Sequence, residues 1–162
     1  MTTRTQPVAQ PRLHYRRALT TFILAYISVT ILGIALSIFI GIIGHYPSAA
    51  EALQNQAYLV SERFYPFMNL VVWSLFAWAY FRKRAKQAGK ISLTREARTL
   101  GAFWVVAAII VDYVGFVVIK NPISLSPHDF YIGQFPWIYL IYVAIALSPL
   151  CYIALLRRAE IQ

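Results

Sequence analysis

Four long apolar stretches alternate with short polar ones along this chain, and that alternation predicts its elements. The apolar stretches cover approximately residues 18 to 43, 62 to 81, 99 to 119 and 136 to 156. A helix of about 20 apolar residues spans the roughly 30 Å hydrocarbon core of a bilayer. The pattern therefore predicts an all-α integral membrane protein, a single four-span domain over residues 1 to 162 in which four transmembrane helices form one bundle. The polar remainder is a short tail (1 to 17), a basic loop (82 to 98) and two connections (44 to 61 and 121 to 135).

Inside the first stretch Gly33, Ser37 and Gly41 recur every four residues. Small side chains on one helical face let another backbone approach closely, so this seam predicts packing within the bundle, with a homodimer face as the alternative. Pro66 falls in the first turn of the second stretch, where a missing amide donor costs least. Ser148-Pro149 interrupts the fourth and predicts a kink. Trp73, Trp78 and Tyr80 are expected to anchor the second span at the lipid interface. Ser92 or Thr94 is the expected N-cap of the third helix. The connection 44 to 61 leaves room for a turn of amphipathic helix, and 121 to 135 is expected to lie along the membrane surface.

Composition agrees with the pattern: 59% of residues are hydrophobic and the mean hydropathy is +0.58. The formal charge of +9 by itself suits nucleic acid, but the positions of the basic residues exclude that partner. Arg4, Arg12, Arg16 and Arg17 precede the first stretch, a cluster from Arg82 to Arg98 separates the second from the third, and Arg157 and Arg158 follow the fourth. Only Arg63 and Lys120 lie elsewhere. By the positive-inside bias, both termini and the basic loop are expected in the cytoplasm, giving an N-in/C-in bundle in the plasma membrane. Arg82, Lys83, Arg84, Lys86 and Lys90 are expected to bind anionic lipid headgroups, at about 1 kcal/mol for each cation near the surface. Cys151 is the single cysteine, so no intramolecular disulfide forms.

One carboxylate interrupts the apolar run Gly101 to Lys120. Asp112 lies on a face with Gly101, Trp104, Ala108 and Gly115, which directs it toward protein. An intramembrane Asp costs about 2.5 to 3.5 kcal/mol on insertion scales and marks a functional site by default. Its expected surroundings are Arg63, whose long side chain reaches inward, together with Asn69, Tyr139 and Tyr142. His45, His128 and Asp129 are the only candidates for a metal, and no metal site or cofactor is expected from them. His14, His45 and His128 all fall outside the spans, which argues against paired haem ligation.

Three function classes fit these residues. First is a non-enzymatic accessory or interaction subunit, supported by the small-residue seam, the basic loop and the absence of a catalytic motif; its partner is a membrane protein or a second copy. Second is a proton- or cation-linked small transporter, in which a cation displaces the proton of Asp112. Third is a membrane enzyme with an outer-surface site drawn from His45, Glu51, Glu62, Asp112, His128 and Asp129. No HExxH, GxSxG or GxxxxGK[ST] spacing joins these residues. Transport requires that Asp112 face a water-accessible cavity; an enzyme requires that polar groups of the two outer loops converge; an accessory protein requires neither, but a patch of packing surface left facing lipid.

Overall fold

The described elements follow directly from the apolar runs. The computed structural model describes residues 13–47, 55–82, 90–120 and 125–159, with no side-chain placement for 90–92. Helix α1 (Tyr15–Gly44) is long because nothing breaks it: its 30 residues contain no proline and are apolar almost all the way round. It ends at His45, which takes the left-handed conformation (φ 52°), and the amide of Tyr46 then closes back on the Gly41 carbonyl. Helix α2 (Gln56–Ser61) starts where the Asn55 side chain accepts the Tyr58 amide at 3.2 Å. Helix α3 (Tyr65–Phe81) carries Pro66 in its first turn, as the pattern predicts.

Helix α4 (Lys90–Asp112) passes into a wide π-helical turn, Tyr113–Val118, and a second such turn, Asp129–Gly133, precedes helix α5 (Trp137–Ala159). The start of α4 at Lys90 differs from the expected caps at Ser92 or Thr94. Thr94 instead lies inside the helix, where its hydroxyl accepts from the Arg157 guanidinium at 2.5 Å. Helix α5 runs through Pro149 without ending. Proline has no amide for the Ile145 carbonyl, and the buried Ser148 hydroxyl donates to that oxygen at 2.8 Å.

Among the described residues all regular structure is helical, and α1, Leu93–Val118 and α5 are each long and apolar enough to cross a membrane. Helix α3, with 17 residues, is shorter. Large apolar side chains such as Ile27, Ile31, Phe39, Val71, Leu75 and Val143 stand exposed around the bundle, where a membrane would cover them.

Packing joins α3 to α5 and α1, and α4 to α5, while α1 lies mainly against α2 and α3. The expected small-residue seam is used inside the chain. A Cβ at Gly33 would meet Tyr65 and Met68, one at Gly41 would meet Ala57, and Ser37 bonds to Ser61 and Tyr65. Gly101 lets α4 approach α5 so closely that a Cβ there would lie 2.3 Å from the Ala146 carbonyl oxygen.

At one end, where Arg16, Arg17, Arg82, Arg157 and Arg158 gather (the basic end), the bundle is densely aromatic. Trp73 packs on Trp104 and Phe22 at ring-centroid separations of 5.1 and 5.6 Å. The Tyr80 hydroxyl donates to the buried Glu96 carboxylate at 2.8 Å, and Arg17 reaches the Ala79 carbonyl at 2.6 Å. This corrects the anchoring role expected for two residues of α3: Trp73 and Tyr80 are fully buried, and only Trp78, at 50%, is exposed. Ring area is interchangeable between lipid contact and core packing, so aromatic density along a sequence does not say which face turns inward.

Candidate functional site

The other end of the bundle, beside α2, is hollow. A cavity of about 490 Å³ lies between α1 on one side and α4 and α5 on the other, with α3 also lining it. Its α1 wall is the stripe Tyr26, Val29, Thr30, Gly33 and Ser37, which share one face because steps of three and four return to the same side of a helix. Ile34 and Ile38 also line it and are each 58% exposed, so the cavity opens to the surface along α1.

Asp112 is its only carboxylate among the described residues. The side chain is 8% exposed and sits at the last α-helical residue before the π-helical turn, a geometry that often marks functional positions. Tyr26 of α1 donates to Oδ1 at 2.5 Å and Tyr142 of α5 donates to Oδ2 at 2.8 Å. Three helices are thus tied at one carboxylate, and both donors are neutral.

The sequence expectations divide at this point. Asp112 faces protein on the Gly101, Trp104, Ala108 face, and Tyr142 is its partner. Arg63 is not: it is exposed in the turn before α3, and no ion pair to Asp112 forms. Asn69 lines the cavity but spends its amide on its own helix, donating to the Tyr65 carbonyl at 2.8 Å and accepting from Trp73 Nε1 at 2.9 Å. Helical i to i+4 geometry satisfied it before a neighbour could. Tyr139 is 42% exposed and turns its ring to Phe135.

Tyr26 is the partner the sequence did not reveal. A single tyrosine among aliphatic residues carries little signal, although it stands seven residues before Gly33, in phase with the small-residue seam. The hydroxyl cluster at the α2 end was equally hidden. Ser37 Oγ lies 2.7 Å from both Ser61 Oγ and Tyr65 OH, which are 3.1 Å from each other.

The described part of the connection before α5 turns some of its side chains inward, while His128, Ile132 and Phe135 stay exposed. Phe130 is buried and stacks on Phe116 at 5.8 Å, the Leu125 amide donates to the Phe116 carbonyl, and Leu125, Phe130 and Gln134 line the cavity. A short, apolar connection buries its side chains once neighbouring helices leave space. Gln134 is 7% exposed, and its side-chain amide makes no hydrogen bond among the described residues.

Outside the cavity, His128 and Asp129 face each other at 3.6 Å on the surface, with the Ser126 hydroxyl and His128 holding the Asp129 carboxyl below its ordinary range. No group of three or more His, Cys, Asp or Glu side chains lies together among the described residues, His45 included. Glu62, in the turn between α2 and α3 and outside both helices, is 7% exposed; burial pushes its carboxyl up to about 7, against the pull of Arg63. Arg82 is exposed with its guanidinium 5.8 Å from the Trp78 ring, whereas Glu51, Lys83, Arg84, Lys86 and the side chain of Lys90 lie outside the described residues.

Chemically, the arrangement offers a ligand one carboxylate, a set of hydroxyl oxygens and the side-chain amides of Asn55 and Gln134, on apolar walls. No protein-family model matches the chain, and comparison with curated proteins and with solved structures finds no match either.

Proposed function

We propose that this chain is a proton-linked transporter of small organic cations, and that Asp112 is the site at which cation and proton exchange. In this reading α1, α3, Leu93–Val118 and α5 are four spans. The basic end, with both termini and the loop 82 to 98 bound to anionic headgroups, lies in the cytoplasm, and α2 lies outside the plasma membrane. Helix α3 is at the short end of the range for a span, about 17 to 25 residues.

One observation supports this above the others: a buried carboxylate at a cavity, held by two neutral tyrosines from two other helices, with no resident cation. A carboxylate that served only to lock the bundle would gain most from a fixed positive partner, because an unneutralised charge in low dielectric is costly. Here the counter-charge must come from a proton or from a ligand. Binding a cation then releases the proton, and reprotonation releases the cation. An accessory role is less well supported, since the small-residue seam is occupied within the chain. An outer-surface enzyme lacks a convergence of His45, His128 and Asp129.

The test is accumulation of ethidium by proteoliposomes with an acidic lumen, beside infrared difference spectra in lipid. Wild type is expected to concentrate ethidium as the gradient dissipates, and the Asp112 carboxyl band, assigned with Asp112→Asn, is expected to change when cation is added. Asp112→Asn should abolish gradient-driven accumulation. Equal accumulation by the Asn variant, or a carboxyl band indifferent to every cation tried, would end the proposal.

A further inference from the structure

The cavity has a second polar pole that cation exchange at Asp112 does not use. Ser37 and Tyr65 line it toward the α2 end, with Ser61 behind them, fully buried. Their protons can be accounted for. Ser61 donates to the Tyr58 carbonyl at 2.8 Å; Tyr65 has Ser37 Oγ at 2.7 Å and the Gly33 carbonyl at 3.4 Å as acceptors; Ser37 has Ser61 and Tyr65. Each of the three protons is taken up inside the cluster or by backbone, so what the cluster turns to the cavity is oxygen lone pairs. Gln134, just before α5, also lines the cavity, and its amide makes no hydrogen bond to a described residue. No buried side-chain nitrogen or oxygen among the described residues lacks a partner, so the unbonded Gln134 amide faces open space, where a ligand group can pair with it.

The two poles are far apart. Tyr26, which holds Asp112, and Ser37 are separated by eleven residues of α1, about 16 Å of rise, on nearly the same face. Val29, Gly33, Met68 and Phe116 line the cavity with apolar surface. From this we infer that the ligand is an elongated lipophilic amine whose far end carries a hydroxyl. The ammonium meets Asp112, the apolar body fills the middle, and the hydroxyl donates to the Ser37–Tyr65 oxygens while accepting from the Gln134 amide. A purely hydrocarbon tail would leave Gln134 unpaired, and a carboxylate tail would bring a second charge against hydroxyl oxygens that have no proton to give. Entry fits a lipid-dissolved amphiphile, because the opening beside Ile34 and Ile38 lies on the apolar flank of α1.

This assignment rests on the proposed cation site, and the experiment separates the two. Binding of 12-aminododecan-1-ol and of dodecylamine is measured by titration calorimetry to wild type, Asp112→Asn, Tyr65→Phe, Ser37→Ala and Gln134→Leu in nanodiscs of neutral lipid. Wild type is expected to favour the amino alcohol by about tenfold, the worth of one or two buried hydrogen bonds, although the simple amine is the more lipophilic. Tyr65→Phe, Ser37→Ala and Gln134→Leu should each reduce that preference while leaving dodecylamine bound, which also shows that the variants are folded. Asp112→Asn should weaken both ligands. If Asp112→Asn weakens both and no preference exists, or the preference survives all three outer substitutions, the hydroxyl pole is refuted and the cation site stands. If Asp112→Asn changes neither, the cation site itself is refuted, and this inference with it.

Discussion

The two ends of this bundle are made by the same helices and yet are built in opposite ways. At the basic end, Trp73, Trp104, Phe22, Tyr80 and Phe81 fill the space between α1, α3 and α4, and Gly101 brings α4 against α5 until backbone meets side-chain position. At the α2 end the same helices stand apart around about 490 Å³, and they are held by hydroxyl groups, Tyr26 and Tyr142 on Asp112 and the Ser37–Ser61–Tyr65 cluster. In lipid, association depends on van der Waals contact and hydrogen bonds, because hydrocarbon tails solvate apolar faces as well as leucine does. The comparison shows how that rule permits a hollow. Contact is concentrated at the basic end, and sparse directional bonds hold the other end around the cavity.

The sharpest way to break this contrast is to open the tight end. Trp73→Ala removes the ring between Phe22 and Trp104 and the hydrogen bond to Asn69. It is expected to cost about 3 kcal/mol, the low end of the range for such truncations, since lipid leaves little of the transfer term. Thermal melting followed by labelling of the single Cys151 thiol measures it. Gly101→Ala comes next. The new methyl meets the Ala146 carbonyl, which is backbone and cannot turn aside, so a loss of about 2 kcal/mol is expected from overpacking. A melting temperature unchanged by Gly101→Ala would show that α4 and α5 are not in such close contact.

Gly33→Ala is the counterpart at the hollow end. Its Cβ finds Tyr65 and Met68 at 3.7 Å and beyond, ordinary contact, while helix propensity improves. A gain of about 0.5 to 1 kcal/mol is expected, with a smaller cavity and weaker amine binding. The same substitution should thus have opposite signs at the two ends.

Glu62 gives a pH signature instead of a packing effect. Its carboxyl is raised to about 7 in the fold from an ordinary 4.5, so between those values the folded state holds a proton that the unfolded chain has lost. Stability is then greatest below about pH 4.5 and falls as pH rises through 7. Glu62→Gln removes that slope. In melts at pH 5 and pH 8 the wild type is expected to lose a few degrees more than the variant, and parallel behaviour would show that Glu62 is solvated.

Much of this architecture was legible in residue order alone. The apolar runs made the helices, because length and hydrophobicity decide whether a segment buries its backbone in lipid or in its own core, and Pro66 and the seam at Gly33, Ser37 and Gly41 carried their positions in their spacing. The phase of Gly101, Trp104, Ala108 and Asp112 turned the carboxylate toward protein for the same reason: side-chain direction along a helix is fixed by its period. What Asp112 would touch was not legible. Its partners came from α1 and α5, 86 and 30 residues away, and which tyrosine hydroxyl reaches a given oxygen depends on helix order, tilt and separation. The burial of Trp73, the self-satisfied Asn69, the inward fold of Phe130 and Gln134, and the cavity itself belong to the tertiary structure. A cavity is the volume that packing leaves unfilled, and it is set only when every helix has taken its place.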